Sequence, residues 1–464
     1  WSPDGRSIAF LRQPPDVSGI DFKPRREAQP WAIEVADVAT TRAREIWRAK
    51  PGRGSVFHEA DTDHQLAWAA GNRIVFPWEG DGWAHLYSIE VAGGPAIPLT
   101  PGEFEVENVA LSLDSKFVYY SSNQGDIDRR HLWRVAVVGG APEQVTRGDG
   151  IEVAPAVTTD GTVAVLRSDA HVPMRPAVVG GNGDMRDVAP QLIPADFPAA
   201  KLVVAQQVIF SSADGIQIHG QLFLPATAKT GQKHPAVIFF HGGSRRQMLL
   251  GWHYMQYYSN AYAMNQYLGS LGYVVLSVNY RSGIGYGLNF REALNYGAAG
   301  ASEFNDVLGA GLYLRGRADV NGARIGVWGG SYGGYLTALA LSRASDLFAA
   351  GVDLHGVHDW NLELNIWQPT YDRNADKDAA RIAWESSPLA SVKGWRSPVL
   401  LMQGDDDRNV QFSQTVRLAS ALRAQGTPFE EHVFPDEIHD FLLHRTWLEA
   451  YQYAAEFFGR YLKR

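Results

Sequence analysis

Hydrophobic and polar positions follow two different rhythms along this chain. Up to about residue 195 the apolar residues come in short alternating runs, each introduced by glycine or aspartate: "WSPDGRSIAFLR", "GNRIVFPW", "LDSKFVYYSS" and "TTDGTVAVLR". Alternation bounded by turn residues predicts short antiparallel strands. Residues 85–100, "HLYSIEVAGGPAIPLT", and residues 131–146, "HLWRVAVVGGAPEQVT", match in residue type at most positions and form an internal repeat. A period of about 40 to 50 residues built from four short strands is the signature of propeller blades. A plain β-sandwich would supply the strands but not the copy. At this period the segment holds about four blades, the low end of the usual range. The chain opens at Trp1 inside what reads as a repeat, so the propeller is expected to be truncated at its N-terminus, with any targeting segment upstream.

The second rhythm begins near residue 201. "GGNGDMRDVAPQLIPADFPAA", residues 180–200, is rich in glycine and proline and reads as a connection, which divides the chain into residues 1–195 and 196–464. Beyond it, "HPAVIFFHGG", "GYVVLSVNYR", "RIGVWGGSYGG", "AAGVDLHGV" and "SPVLLMQGDDD" are near-continuous apolar runs that end in polar or glycine residues. Helical stretches such as "NAYAMNQYLGSLG" lie between them. Strands alternating with helices predict a mostly parallel sheet covered on both faces, with functional residues at the carboxyl ends of its strands.

Composition narrows the chemistry. The 464 residues are 45% hydrophobic, enough for two buried cores, and the net charge is -8 with no basic cluster to track phosphates, so nucleic acid is not expected as a partner. Cysteine is absent, which excludes thiol catalysis, disulfides and thiolate metal sites and leaves the compartment open. No apolar run approaches the roughly 18 to 20 residues of a membrane span.

Gly329-Gly330-Ser331-Tyr332-Gly333 fits G-x-S-x-G between an apolar strand and a helix, the context of a nucleophile elbow. A serine hydroxyl needs an adjacent base held by a third group, and on an α/β-hydrolase the acid and then the histidine follow the serine in sequence. Asp405, Asp406 and Asp407 stand just beyond the run "PVLLMQG", and the residues alone do not rank them. Of the histidines further on, His432 falls inside a strand pattern and His444 in a helix pattern, whereas His439 lies in the loop "PDEIHD" and is the candidate base. A cation loop at Asp405, Asp407 and Asn409 lacks the turn glycine, Val410 standing in its place, so no metal is expected. The oxyanion would meet the Tyr332 amide and donors from the loop His241-Gly242-Gly243.

These segments together resemble the prolyl oligopeptidase family of serine peptidases, which joins a β-propeller to an α/β-hydrolase. "GGSYGGY" is similar to the family's nucleophile segment, "VNYRSGIGYG" to its post-strand loop, "LLMQGDDDRNVQFSQT" to its acid loop and "FPDEIHDF" to its histidine loop. The resemblance implies Asp407 as the acid, through the spacing Gly404 to Val410, and supports His439. "HGGS" resembles the acylaminoacyl peptidase branch, which implies the Gly243 amide as second oxyanion donor. "WEGDGWAHLY", residues 78–87, resembles the dipeptidyl peptidase IV propeller. In that branch paired glutamates hold the substrate's amino terminus; here the one Glu-Glu pair, Glu430-Glu431, lies in the hydrolase half, leaving Glu59 and Glu79 as single candidates.

The resemblance further implies an apolar pocket from Val357, Trp360, Trp367 and Val410 that suits a hydrophobic or proline side chain. Arg245 and Arg246 follow the oxyanion glycines and would meet a substrate carbonyl or carboxylate. The expected function is a serine peptidase acting on short peptides through an acyl-enzyme, without cofactor, the propeller acting as a size filter; relatives of this kind also imply a homo-oligomer. A carboxylester hydrolase with the same triad is the second reading, and an inactive propeller binding module the third.

Overall fold

A computed structural model describes residues 1–14, 24–226, 231–368 and 370–463. Among these, every strand up to Asp187 pairs antiparallel, in one sheet of three strands followed by three sheets of four. Alternation decides how they stack. In the second sheet Ile74, Phe76 and Ile89 face Trp31 and Ile33 of the first, while Val75 and Leu86 face Val106, Val118 and Tyr120 of the third. Leu132 of the third then meets Val163, Val165 and Ala177 of the fourth. This is blade-on-blade packing. The sequence repeat falls on the outer strands of the second and third sheets, His85–Glu90 with Ile97–Pro98 and His131–Ala136 with Glu143–Gln144. Both copies use one device, in which the buried Thr100 and Thr146 hydroxyls accept the Leu86 and Leu132 amides at 2.9 Å.

The remainder forms one eight-stranded sheet. We number its strands β1 (Gln206–Ser211), β2 (Gln217–Phe223), β3 (His234–Phe240), β4 (Val274–Asn279), β5 (Val320–Gly330), β6 (Ala350–Leu354), β7 (Val399–Gly404) and β8 (Phe429–Phe434). Their spatial order is β1-β2-β4-β3-β5-β6-β7-β8, antiparallel at β1 and β2 and parallel from β4 to β8. Ile238 and Phe240 of β3 enter the core on one face, Val237 and Phe239 that on the other, which is why the strand reads as an unbroken apolar run. Register aligns the carboxyl ends: Phe240 pairs with Gly329, Gly330 with Leu354, Leu354 with Met402. The loops after β3, β5, β6 and β7 therefore emerge side by side.

Propeller acids hold the loop that follows β4. Glu105 accepts the Gly285 and Gly287 amides at 2.7 and 2.9 Å, Glu79 pairs with Arg291 at 2.6 Å, and buried Asp128 accepts from His219 and Tyr286. Among the described residues no helix is long and apolar enough to cross a membrane.

Candidate active site

Ser331 occupies the turn between β5 and the helix Tyr332–Arg343 with φ 59° and ψ -120°, a region that side chains other than glycine rarely adopt. Its amide donates to the Leu354 carbonyl at 2.9 Å and its own carbonyl accepts from Tyr335, so both ends of the turn are fixed. The glycines around it answer to close backbone approach. A β-carbon on Gly329 or Gly333 would overlap the Phe240 carbonyl oxygen, one on Gly330 the Tyr257 hydroxyl, and one on Gly334 would sit 2.5 Å from Asp353 Oδ1.

The candidate acid and base meet. His439 Nδ1 lies 2.7 Å from Asp407 Oδ2, and the pair is buried. Asp407 Oδ2 also accepts from Gln403, and Oδ1 accepts the Asn409 and Val410 amides at 2.9 and 3.0 Å. Burial alone would raise this carboxyl, but the His439 hydrogen bond and charge, with the backbone donors, hold it below the ordinary range. An ionised carboxylate only accepts, so the imidazole carries its proton on Nδ1 and keeps the Nε2 lone pair. Asp405 instead accepts the Asp436 amide and exposed Asp406 pairs with Arg408. His432 stacks on Tyr453, and His444 is the exposed first residue of a helix.

A residue not anticipated from sequence lies beside His439. His355, on the backbone that leaves β6, sets its ring 4.4 Å from that of His439, and its Nε2 is 2.9 Å from the Tyr257 hydroxyl. Burial and the nearby His439 push its pKa well down, so it stays neutral and adds no positive charge beside His439. Ligand atoms of His355, Asp407 and His439 lie within 4.8 Å of one another. That spacing would admit a metal ion, but Asp407 Oδ2 is already bound to His439, and the arrangement reads as an acid–base pair.

Tyr332 is anchored from below. Its hydroxyl donates at 2.7 Å to Glu303, a fully buried carboxyl that also accepts the Gly297 amide and that burial lifts to about 7. The loop after β3 approaches from the other side: a β-carbon on Gly242 would lie 3.2 Å from Ser331 Cβ, and Gly243 takes φ +86°. Tyr280 fixes this loop by stacking on His241 at 4.2 Å and donating to its carbonyl.

One cavity of about 500 Å³ is lined by Ser331, Tyr332, His439 and Gly243 together with Val357, Trp360, Trp367, Val410 and Arg245. Two expected contacts lie outside it. His241 is buried beneath its loop, with a pKa pressed to about 3 by desolvation, and Arg246 turns back onto the Arg245 carbonyl. Arg245 does reach the cavity, but its guanidinium is engaged: it donates to Glu292, to the Tyr296 hydroxyl and to the Ser282 and Arg291 carbonyls. It is a strut of the wall. Neither Glu59 nor Glu79 lines the cavity; Glu79 is buried against Arg291. The acids that do line it are Glu292 and Glu363. Glu363 falls three residues after Trp360 and four before Trp367, so helical spacing put it on the pocket face, a signal the reading of an apolar pocket passed over.

Three descriptions of known families match parts of the chain. Residues 259–464 match the prolyl oligopeptidase family, residues 25–171 the dipeptidyl peptidase IV N-terminal region, and residues 182–298 acetyl xylan esterase. Dipeptidyl-peptidase 5 of Porphyromonas gingivalis is 23% identical over 97% of this chain and 66% of its own length. Dipeptidyl aminopeptidase BIII of Pseudoxanthomonas mexicana is 31% identical over 52% of this chain and 36% of its own length. The chain thus spans less than two thirds of either relative. A puromycin-hydrolyzing peptidase of Mycobacterium tuberculosis shares the fold, with a TM-score of 0.82 at 21% identity over 99% of this chain and 70% of that one. The carboxyl-terminal part of the chain thus matches the prolyl oligopeptidase family, and its β-rich half matches the N-terminal region of dipeptidyl peptidase IV.

Proposed function

We propose that the chain is a serine peptidase that cleaves short peptides through an acyl-enzyme. The observation that carries this reading is the buried His439–Asp407 pair opening into the same cavity as the strained Ser331. Ser331 Oγ attacks the scissile carbonyl carbon while His439 Nε2 takes its proton, and Asp407 holds the opposite N–H and balances the imidazolium. The Tyr332 and Gly243 amides receive the oxyanion, a contribution of about 10²- to 10³-fold per donor in enzymes of this type. Collapse breaks the C–N bond, His439 protonates the leaving amine, and a water activated by the same base releases the acid and frees Ser331.

A second reading, carboxylester hydrolysis with the same residues, draws on the match of residues 182–298 to acetyl xylan esterase. One experiment separates them: kcat/KM for free-amino dipeptidyl, N-acetylated aminoacyl and longer blocked peptide anilides beside short-chain nitrophenyl esters, each with wild type and Ser331→Ala. Anilide turnover that the variant loses by about 10⁴-fold or more supports the peptidase, and the preferred blocking group names the branch. Turnover of esters alone supports the second reading.

A further inference from the structure

Glu363 is the feature of the cavity that the mechanism leaves unused. It is 2% exposed, yet it lines the cavity with Ser331 and His439, between walls of Val357, Trp360, Trp367 and Val410. Its Oε1 accepts from Trp367 Nε1 at 2.8 Å and its Oε2 from Gln414 Nε2 at 3.3 Å. A carboxylate offers about four lone-pair positions, so these two bonds orient the group and leave about half its accepting capacity unfilled. Glu292, the other acid of the cavity, differs: both of its oxygens lie on the Arg245 guanidinium. Among the described residues Glu363 makes no such ion pair.

We propose that Glu363 makes this cavity select an acyl-side residue with a cationic end, lysine or arginine, whose methylene stem lies along Trp360 and Trp367. A buried carboxylate is costly without a cation, and an aromatic-walled pocket suits both an alkyl stem and the charge it carries. Desolvation raises Glu363 to about 7, against the lowering effect of its two hydrogen bonds, and an entering cation would restore its ionised form. The inference departs from the hydrophobic or proline preference that an apolar pocket implies, and it rests on Ser331 being the acylated nucleophile.

The test uses paired probes that differ only in the terminal amine. Diphenyl phosphonates bearing a lysine-type or a norleucine-type side chain phosphonylate an activated serine whether the enzyme prefers amides or esters, and the matching anilides report peptide cleavage. At pH 8 the lysine probe is expected to label Ser331 about 10- to 100-fold faster than the norleucine probe, and Glu363→Gln to shrink that ratio to within about threefold. A norleucine preference, equal rates, labelling by neither probe, or an unchanged ratio in Glu363→Gln each overturn the inference. Inert anilides alongside a strong lysine preference in labelling would instead sink the peptidase reading and leave the pocket assignment standing.

Discussion

Replacing Asp407 by asparagine changes one atom and should remove nearly all activity. The carboxylate receives four hydrogen bonds, two on each oxygen: His439 and Gln403 on Oδ2, the Asn409 and Val410 amides on Oδ1. Asparagine keeps a single oxygen and must choose. Turned toward His439, it would press its NH₂ against two backbone N–H groups, at a cost of about 1 to 3 kcal/mol for each unmet donor. The opposite orientation, oxygen on the amides and NH₂ on the imidazole, is therefore favoured. His439 Nδ1 then becomes an acceptor, its proton moves to Nε2, and the base faces Ser331 as a donor. The same wrong tautomer in the serine-protease template lowers kcat by about 10⁴, equivalent to roughly 5.5 kcal/mol of transition-state stabilisation. Asp405 is the internal control: the bond its carboxylate accepts from the Asp436 amide can be kept by an asparagine carbonyl, so Asp405→Asn should stay within about threefold of wild type. The assay is kcat on the best substrate of the anilide and ester panel, with the thermal midpoint of each variant as a fold control. Equal losses in the two variants, or less than a tenfold loss in Asp407→Asn at an unchanged midpoint, would refute the assignment.

Glu303 gives a pH-dependent prediction. A carboxyl held above its ordinary value stabilises the fold fully below that value, and the stabilisation is lost as pH rises through the folded pKa, here between 4.5 and about 7. Glu303→Gln should therefore gain on wild type across that window by the order of 3 kcal/mol, read as the difference in denaturant midpoints; a pH-independent difference would contradict it. Gly333→Ala should cost about 1 to 3 kcal/mol or fail to fold, since its β-carbon meets the Phe240 carbonyl, and an unchanged urea midpoint would argue against that close approach. A chelator is expected to leave activity intact, because Asp407 is committed to His439; loss that a divalent cation restores would make His355, Asp407 and His439 a metal site instead.

What the sequence made legible was local. The elbow announces itself because Gly329, Gly330, Gly333 and Gly334 themselves lie within a few residues of the serine, even though the Phe240 carbonyl that Gly329 and Gly333 make room for belongs to the distant strand β3. The blade repeat is legible because each copy carries both partners of its leucine amide to threonine hydroxyl bond. What stayed hidden depends on pairs distant in the chain. Arg245 reads as a contact for a substrate carbonyl or carboxylate until Glu292, 47 residues on, takes its guanidinium, and His241 reads as a substrate contact until Tyr280, 39 residues on, covers its ring. Asp407 stands between these cases: three adjacent aspartates share one local pattern, and only the family spacing, then the contact with His439, distinguishes them.

The backbone at Ser331 sets activity and robustness against each other. A serine at φ 59° and ψ -120° holds roughly 1 to 3 kcal/mol of strain that glycine at the same place would largely relieve, even after the greater freedom glycine brings to the unfolded chain. Selection of variants for heat resistance alone would thus favour glycine at position 331 and return a sturdier protein without the proposed nucleophile. Engineering this chain for harsher conditions has to draw its gains from elsewhere, for example the blade faces or the seam around Asp128, and leave the turn as tense as it is.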